Sequence, residues 1–327
     1  MRLAIPKCTR SSPKLARPSA TERSLRATVS GLTIALLAVS LSFTAATAAW
    51  HQDEFVIGTW CDPITDLQAY RTASAAGFNL LTGSVYPSAQ LEDGGFKALG
   101  LASQVGLKLL LTNPGWSTAI GQAPNPFPSD PQVILNPYHG LSPGENDALM
   151  GYNLWDEPAY NATNGQYISS WAGAMHADDS LRSDGHPRAV YVNLVNGDAT
   201  WQQHVTDLLN SYPANAQVDV ASVDVYPWVI RANDSLRVFD PWRMYFQRMR
   251  ELRAVMGTRP FWIASWLGCD QDCGGWVSRE AVDGISPADP EQLRFEGFAP
   301  AAAGAKGIIW FVYRNTSGTK FQQPAVW

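Results

Sequence analysis

The sequence predicts an α/β fold and, within that class, a closed (β/α)8 TIM barrel with room for only an incomplete last helix. Three observations carry this. Short apolar runs alternate with longer amphipathic ones, the pattern of βα units around a parallel sheet. Eight such runs fall between residues 54 and 313, close to the roughly 250 residues of a typical closed barrel. Several runs are apolar at nearly every position, as in Leu107–Leu111, which implies burial on both faces. An open doubly wound sheet is the rival. It carries a glycine-rich phosphate turn after its first strand, whereas the turn here reads Trp60-Cys61-Asp62-Pro63.

In chain order, strand one is predicted at 54–60 and a helix at 65–76, then strand two at 78–82 and a helix at 94–105. Strand three covers 107–112. The stretch 113–147 reads as a long loop rich in Pro, Gly and Asn, a length that points to function. Strand four covers 150–155 with a helix at 166–182, and strand five 189–194 with a helix at 200–211. Strand six covers 218–225 with a helix at 241–256, and strand seven 260–265. A second long loop, 266–288, leads to a helix at 290–303 and strand eight at 307–313. Only 14 residues remain after that strand.

Residues 1–48 are not expected to belong to the barrel. Seven basic residues precede an apolar run from Gly31 to Phe43, and Ala45-Ala46-Thr47-Ala48-Ala49 follows. Basic, apolar, small is the order of a secretory signal peptide. An uncleaved N-terminal anchor is the alternative. The domain organisation is therefore a signal segment, 1–48, and one barrel domain, 49–327. A cleaved chain would be secreted or periplasmic and hold no stable membrane partner.

Composition excludes several classes. With 46% hydrophobic and 16% charged residues the chain is not disordered. Four cysteines are too few for a disulfide scaffold. A single long apolar stretch rules out a polytopic membrane protein. Without the first 48 residues, 17 basic and 28 acidic residues remain, a net charge of −11 in place of −5. Such a surface argues against nucleic acid. Cys8 leaves with the signal. Of Cys61, Cys269 and Cys273, the pair Cys269-Asp-Gln-Asp-Cys273 is close enough to close a small disulfide loop. A zinc site there would need His or Cys partners that the neighbourhood lacks, so no metal and no cofactor is expected.

In a barrel of this kind the active site lies at the C-terminal ends of the strands. Strand one ends in Trp60 and Asp62, strand two leads to Tyr86, and strand three to Asn113 and Trp116. Strand four ends in Trp155-Asp156-Glu157-Pro158 and strand five in Asn193, with Asn196 beyond it. Strand six ends in Asp224, Tyr226 and Trp228, strand seven in Ser265-Trp266, and strand eight carries Trp310. Aromatic faces stack on sugar rings, and amides and carboxylates bond sugar hydroxyls. A carbohydrate partner suits this set. The plainer reading makes Trp60, Trp155, Trp262 and Trp310 core residues, and Asp62 and Asp66 helix caps.

Met150-Gly-Tyr-Asn-Leu-Trp-Asp-Glu-Pro158 resembles the fourth-strand motif of the (β/α)8 glycoside hydrolases of the large retaining clan that includes β-galactosidases and cellulases. Asp224-x-Tyr226-Pro227, Pro260-Phe-Trp262 and Gly304-Ala-Lys-Gly-Ile-Ile-Trp310 resemble its later strands in the same order. The resemblance implies a glycosidase with Glu157 as acid/base and Asp156 where that clan commonly has Asn. A general acid must stay protonated near working pH through burial or a second carboxylate, and Trp155 and Asp156 flank Glu157. The clan's nucleophile is a Glu ending strand seven. Here that position reads Ile263-Ala264-Ser265-Trp266. Asp224, Asp270 and Asp272 are the candidates for the second carboxylate. Retaining enzymes need the carboxyls about 5 Å apart and inverting ones about 6.5–9.5 Å. A retaining hydrolase, an inverting one and a barrel that binds glycan without cleaving it all remain open. No G-x-S-x-G, H-E-x-x-H or P-loop occurs. His139, in the third loop, reads as an exposed loop residue or a substrate contact.

Overall fold

The computed structural model describes residues 50–60, 66–82, 94–112, 130–179, 186–227, 229–231, 241–266, 276–278 and 290–311. Eight parallel strands close into a barrel. They are β1 (Val56–Trp60), β2 (Leu80–Thr82), β3 (Lys108–Leu111), β4 (Leu149–Asp156), β5 (Ala189–Leu194), β6 (Val220–Asp224), β7 (Phe261–Trp266) and β8 (Gly307–Phe311). The ring closes where β8 pairs with β1, with Val56 opposite Gly307. Helices Leu67–Ala75, Gly95–Val105, Ala162–Asp179, Trp201–Asn210, Pro241–Met256 and Pro290–Ala302 follow β1, β2, β4, β5, β6 and β7. The (β/α)8 fold is therefore the fold of this chain. Among the described residues no helix is long and apolar enough to cross a membrane.

Alternation along the strands sorts side chains into two layers. Val56, Leu80, Leu110, Ala189, Tyr191, Val220, Trp262 and Ile309 fill the interior. Residues one position away, such as Leu81, Leu109, Val190, Val192, Val223, Ile263 and Ile308, pack against the helices. The interior holds a full indole because its neighbour is glycine. A Cβ at Gly307 would lie 2.7 Å from Val56 Cβ and 2.8 Å from Trp262 Cδ1. Trp262 stacks on Tyr191 with ring centroids 5.2 Å apart, and its Nε1 donates to Gln52 Oε1 at 2.9 Å.

Helix limits follow local chemistry. Asp66 caps the first helix, accepting from the Gln68 N–H at 2.9 Å. Gly106, at φ 73°, ends the second in the left-handed region that glycine tolerates. The stretch expected as one long loop needs correction. Its part from 130 to 148 contains helix Gln132–Leu135, a 3-10 turn Asn136–Gly140 and helix Pro143–Ala148. Ser142 and Glu145 form a reciprocal capping box with Pro143 in the first turn, and Leu135 and Tyr138 are fully buried. Ser142-Pro143-Gly144-Glu145 is a capping-box sequence that starts a helix even within a stretch dense in Pro, Gly and Asn. The helix expected at 166–182 begins earlier, at Ala162. One feature was not expected at all. Val229–Arg231, beyond β6, pairs antiparallel with Trp276–Ser278, beyond β7.

A histidine clasp ties the helix Ala162–Asp179 to the segment entering β6. His176 Nε2 lies 3.0 Å from Asp219 Oδ2, and its Nδ1 lies 3.0 Å from the Asn215 carbonyl. Burial lowers the His176 pKa, but the Asp219 carboxylate, the Asn215 carbonyl and Asp179 raise it further, for a net increase. A raised histidine stabilises the fold fully below its unfolded value near 6.5, and this contribution disappears as pH climbs through the folded value. His176→Gln is therefore expected to cost on the order of 1 kcal/mol at pH 5.5 and less at pH 8.5. Urea unfolding at both pH values checks this, and an equal loss at both would contradict it.

Candidate active site

The polar residues of the interior concentrate at the C-terminal ends of β4, β5 and β6. On β5, Ala189, Tyr191 and Asn193 share the inner face. On β6, Val220, Ser222 and Asp224 do. β4 reaches the same level through a register irregularity between Asn153 and Trp155, which sets Asp156 opposite Asn193. The irregularity aims the Asp156 carboxyl into the ring.

Asn193 is the hub. Its Nδ2 donates to Asp156 Oδ1 at 2.8 Å and to Asp224 Oδ1 at 2.9 Å. The two N–H bonds of a planar amide diverge by about 120°, which holds the two acceptor oxygens about 5 Å apart. The Asn193 carbonyl oxygen accepts from Ser222 Oγ, which lies 2.6 Å from the Tyr191 hydroxyl. The amide is thus fixed at both ends, and its orientation follows from its partners. Backbone geometry adds a further tie, since the Glu157 N–H donates to the Asn193 carbonyl at 2.9 Å.

Glu157 has φ 54°, the one non-glycine residue with positive φ among those described. That conformation costs a non-glycine residue roughly 1–2 kcal/mol. It also breaks the strand alternation that would send neighbouring side chains to opposite faces. Asp156 and Glu157 can consequently serve one site.

The electrostatics follow from this crowding. Burial pushes Asp156 up to about 7; the Asn193 bond opposes the rise and the Glu157 charge adds to it. Asp224 is raised well above the ordinary carboxylate range, first by burial and then by the charge of Asp156. Bonds from Asn193 and Tyr226 oppose that rise. Burial beside Asp224 drives the Tyr226 hydroxyl well above its ordinary value. Two carboxyls this close cannot both ionise readily. Near neutrality the pair holds a proton.

Other strand ends contribute differently. Trp60 faces inward at the end of β1, buried with the interior cluster. Thr82 and Thr112 follow the inward Leu80 and Leu110 by two residues. They are 0% and 3% exposed, and neither hydroxyl has a hydrogen-bond partner. Trp310 corrects an expectation. It falls on the outward face of β8, 4% exposed in the layer against the helices, so alternation removes it from the barrel mouth. Trp155 likewise packs in the outer layer. Asn196 is committed to structure, with its Oδ1 accepting from Arg248 and its Nδ2 lying 3.0 Å from Met244 Sδ. His139 is bound to the buried Asp178 at 2.7 Å. Trp266 is the last residue of β7. Asp62, Tyr86, Asn113, Trp116, Trp228, Asp270, Asp272, Cys61, Cys269 and Cys273 lie outside the described residues.

Four residues of the candidate site do not stand out in the sequence: Ser222 and Tyr191, which orient Asn193, and the two threonines. A period-two count back from Asp224 and Asn193 finds the first pair. The loop after β5 has its own backing. Tyr160 Oη donates to the Val195 carbonyl, Trp201 Nε1 donates to the same oxygen at 2.8 Å, and the buried Arg248 donates to the carbonyls of Gly197 and Asp198.

No family model matches this chain, and no curated protein matches it. Solved structures do. One is a protein assigned as an α-L-fucosidase from Bacteroides thetaiotaomicron, at 13% identity and TM-score 0.50, covering 81% of this chain and 88% of that one. Another is an exo-β-1,4-mannosidase from an Opitutaceae bacterium, at 15% identity and TM-score 0.50, covering 82% of this chain and 54% of that one. At such identity the likeness is one of fold.

Proposed function

We propose that this barrel is a glycosidase that cleaves O-glycosidic bonds of an oligo- or polysaccharide, with Glu157 as proton donor and the Asp156–Asp224 pair as the second carboxyl function. The two compared barrels carry glycosidase names, but the reading rests on the carboxyl cluster. Its single strongest support is Asn193, one amide that bonds an oxygen of each of two carboxyls from different strands, with Glu157 next in sequence to one of them. The hydroxyls of Thr82 on β2 and Thr112 just past β3 offer further bonds to a polyhydroxylated ligand. We further propose that residues 1–48 export the chain and that residues 49–327 are the working domain. Tyr226, Trp60 and the undescribed Asp62, Tyr86, Asn113, Trp116 and Trp228, together with Trp266, would position sugar. Asp270 and Asp272 remain secondary candidates for the carboxylate partner.

A barrel that binds glycan without cleaving it is favoured by one observation: β7 ends in Ala264-Ser265-Trp266, without an acid. Incubating the chain from residue 49 with a panel of defined oligosaccharides, and following new reducing ends, separates the two readings. Cleavage supports the hydrolase. Saturable binding by calorimetry with no new reducing ends would replace it with the binding barrel.

A further inference from the structure

The end of the barrel opposite the carboxyl cluster carries a second concave surface. A cavity of about 390 Å³ opens where the strands begin, a size within the range of small-molecule sites. Its floor is apolar. Val56 opens β1, Leu80 opens β2 and Leu149 opens β4, with Met150 next along β4. One wall is the segment 50–54, whose Trp50 is half-buried against the interior cluster, as is Met150. The rings of Trp262 and Tyr191 fill the barrel between this cavity and the candidate active site. Trp262 Nε1 reaches Gln52 of the cavity wall at 2.9 Å, and the Tyr191 hydroxyl reaches Ser222, which bonds Asn193. The cavity is therefore a separate space from the carboxyl cluster.

Its walls are preformed. Gln52 Nε2 donates to the carbonyls of Glu54 and Lys306 at 2.7 and 2.5 Å. The Asn79 amide donates to the Phe55 carbonyl at 2.9 Å and accepts from the Ile57 N–H at 2.8 Å. Binding here needs little ordering of the protein.

The charges sort the ligand classes. Two cations, Lys108 and Arg188, line the cavity with three acids, Asp53, Glu54 and Asp147. Both cations already donate to oxygens of the wall. Lys108 Nζ bonds the Asp147 carbonyl and carboxylate at 2.8 and 3.0 Å, and Arg188 bonds the His186 carbonyl and the Asn146 side chain. An anion would meet engaged cations and a surplus of acid. The acids stand in water, with the Asp53 and Asp147 side chains 87% and 82% exposed, so solvent screens their hold on an organic cation. A neutral ligand with hydroxyls fits better. Carboxylates accept from hydroxyls, ammonium N–H groups donate to them, and an indole packs against the C–H face of a sugar ring.

We propose that this cavity is a second carbohydrate site, which holds a short stretch of neutral glycan at the end of the barrel away from the carboxyl cluster. It stands whether the mouth cleaves glycan or only binds it. On a polymer, such a site keeps the protein near its ligand and raises the effective concentration at the mouth.

The test follows the indole N–H signals of the full chain by NMR during titration with cellohexaose, xylohexaose and mannohexaose. Trp50→Phe identifies the Trp50 signal by its loss. The expected result is a saturable shift of that signal by at least one hexaose, retained when Asn193→Ala disrupts the mouth. Lys108→Met keeps the apolar stem and removes the donor. It should weaken this binding by at least about tenfold and leave any hydrolysis of the same hexaose within about twofold. No shift of the Trp50 signal up to about 10 mM of each hexaose would overturn the inference. So would a shift that Asn193→Ala abolishes, or tighter binding of inorganic phosphate or spermidine than of any hexaose. These failures leave the glycosidase reading standing, because that reading is scored by new reducing ends. A shifted Trp50 signal with no new reducing ends would keep this site and remove the hydrolase.

Discussion

Glu157→Gln is expected to lower kcat on an unactivated oligosaccharide by about 10³–10⁴-fold, and to spare substrates with an acidic leaving group to within about tenfold. The contrast between the two substrates matters more than either number. A sugar alkoxide is a poor leaving group and needs the proton that Glu157 supplies. A methylumbelliferyl phenolate leaves without it. Gln keeps the side-chain length, an oxygen acceptor and the same tolerance for φ 54°, so the fold should be unaffected. Thermal unfolding of the variant within a degree or two of the parent would confirm that. Parent-like rates on both substrates would remove Glu157 from the reaction. Equal losses on both would make it a binding or folding residue, not a proton donor.

Asp156→Asn is expected to move stability and turnover in opposite directions. Folded Asp156 holds its proton up to about 7, against an ordinary value of 3.8. As pH rises from about 4 to about 7, the unfolded chain releases this proton and the folded chain retains it. Stability therefore declines through that window, and the protonation advantage is gone above it. Asn has no proton to lose and keeps an oxygen to accept from Asn193. At pH 8 the variant should be more stable than the parent by about 2–3 kcal/mol, after allowance for the coupling to Asp224. The difference should close toward pH 4. Guanidinium unfolding at pH 4, 6 and 8 gives the curve. A variant less stable than the parent at pH 8 would show that the Asp156 carboxylate is held by favourable partners, contrary to the burial-driven rise. Such opposition between stability and activity is typical where function requires a strained or buried charge.

The barrel was legible because its signals are repeated. Eight apolar runs at regular spacing do not depend on any single residue, and loss of one boundary leaves the pattern intact. Glu157 and Asp224 stand out in the sequence as candidates because each is a carboxylate at or just past the end of an apolar strand. The connection between them does not. That Asn193 bonds both Asp156 and Asp224 depends on the register of β4 against β5 and on an irregularity near Leu154, and neither leaves a mark in residue types. Trp310 failed in the opposite way. Its position just before a strand end suggested the mouth, but the inward Gly307 and Ile309 fix the parity of β8 and send Trp310 outward. The ribbon of 229–231 and 276–278 was invisible because each half is only three residues long, below the length at which alternation can be recognised.

That ribbon has a bearing on how the barrel could be re-engineered. Loops on barrels of this kind are commonly treated as interchangeable modules, each grafted or shortened on its own strand. Here the connections leaving β6 and β7 share backbone hydrogen bonds, with Ile230 registered against Val277. They form one module with two attachment points. A graft that replaces either alone leaves a row of unpaired amides on the other, and libraries that vary the two independently would be filled with misfits. The natural cassette for exchange is the double loop, carried with its pairing intact.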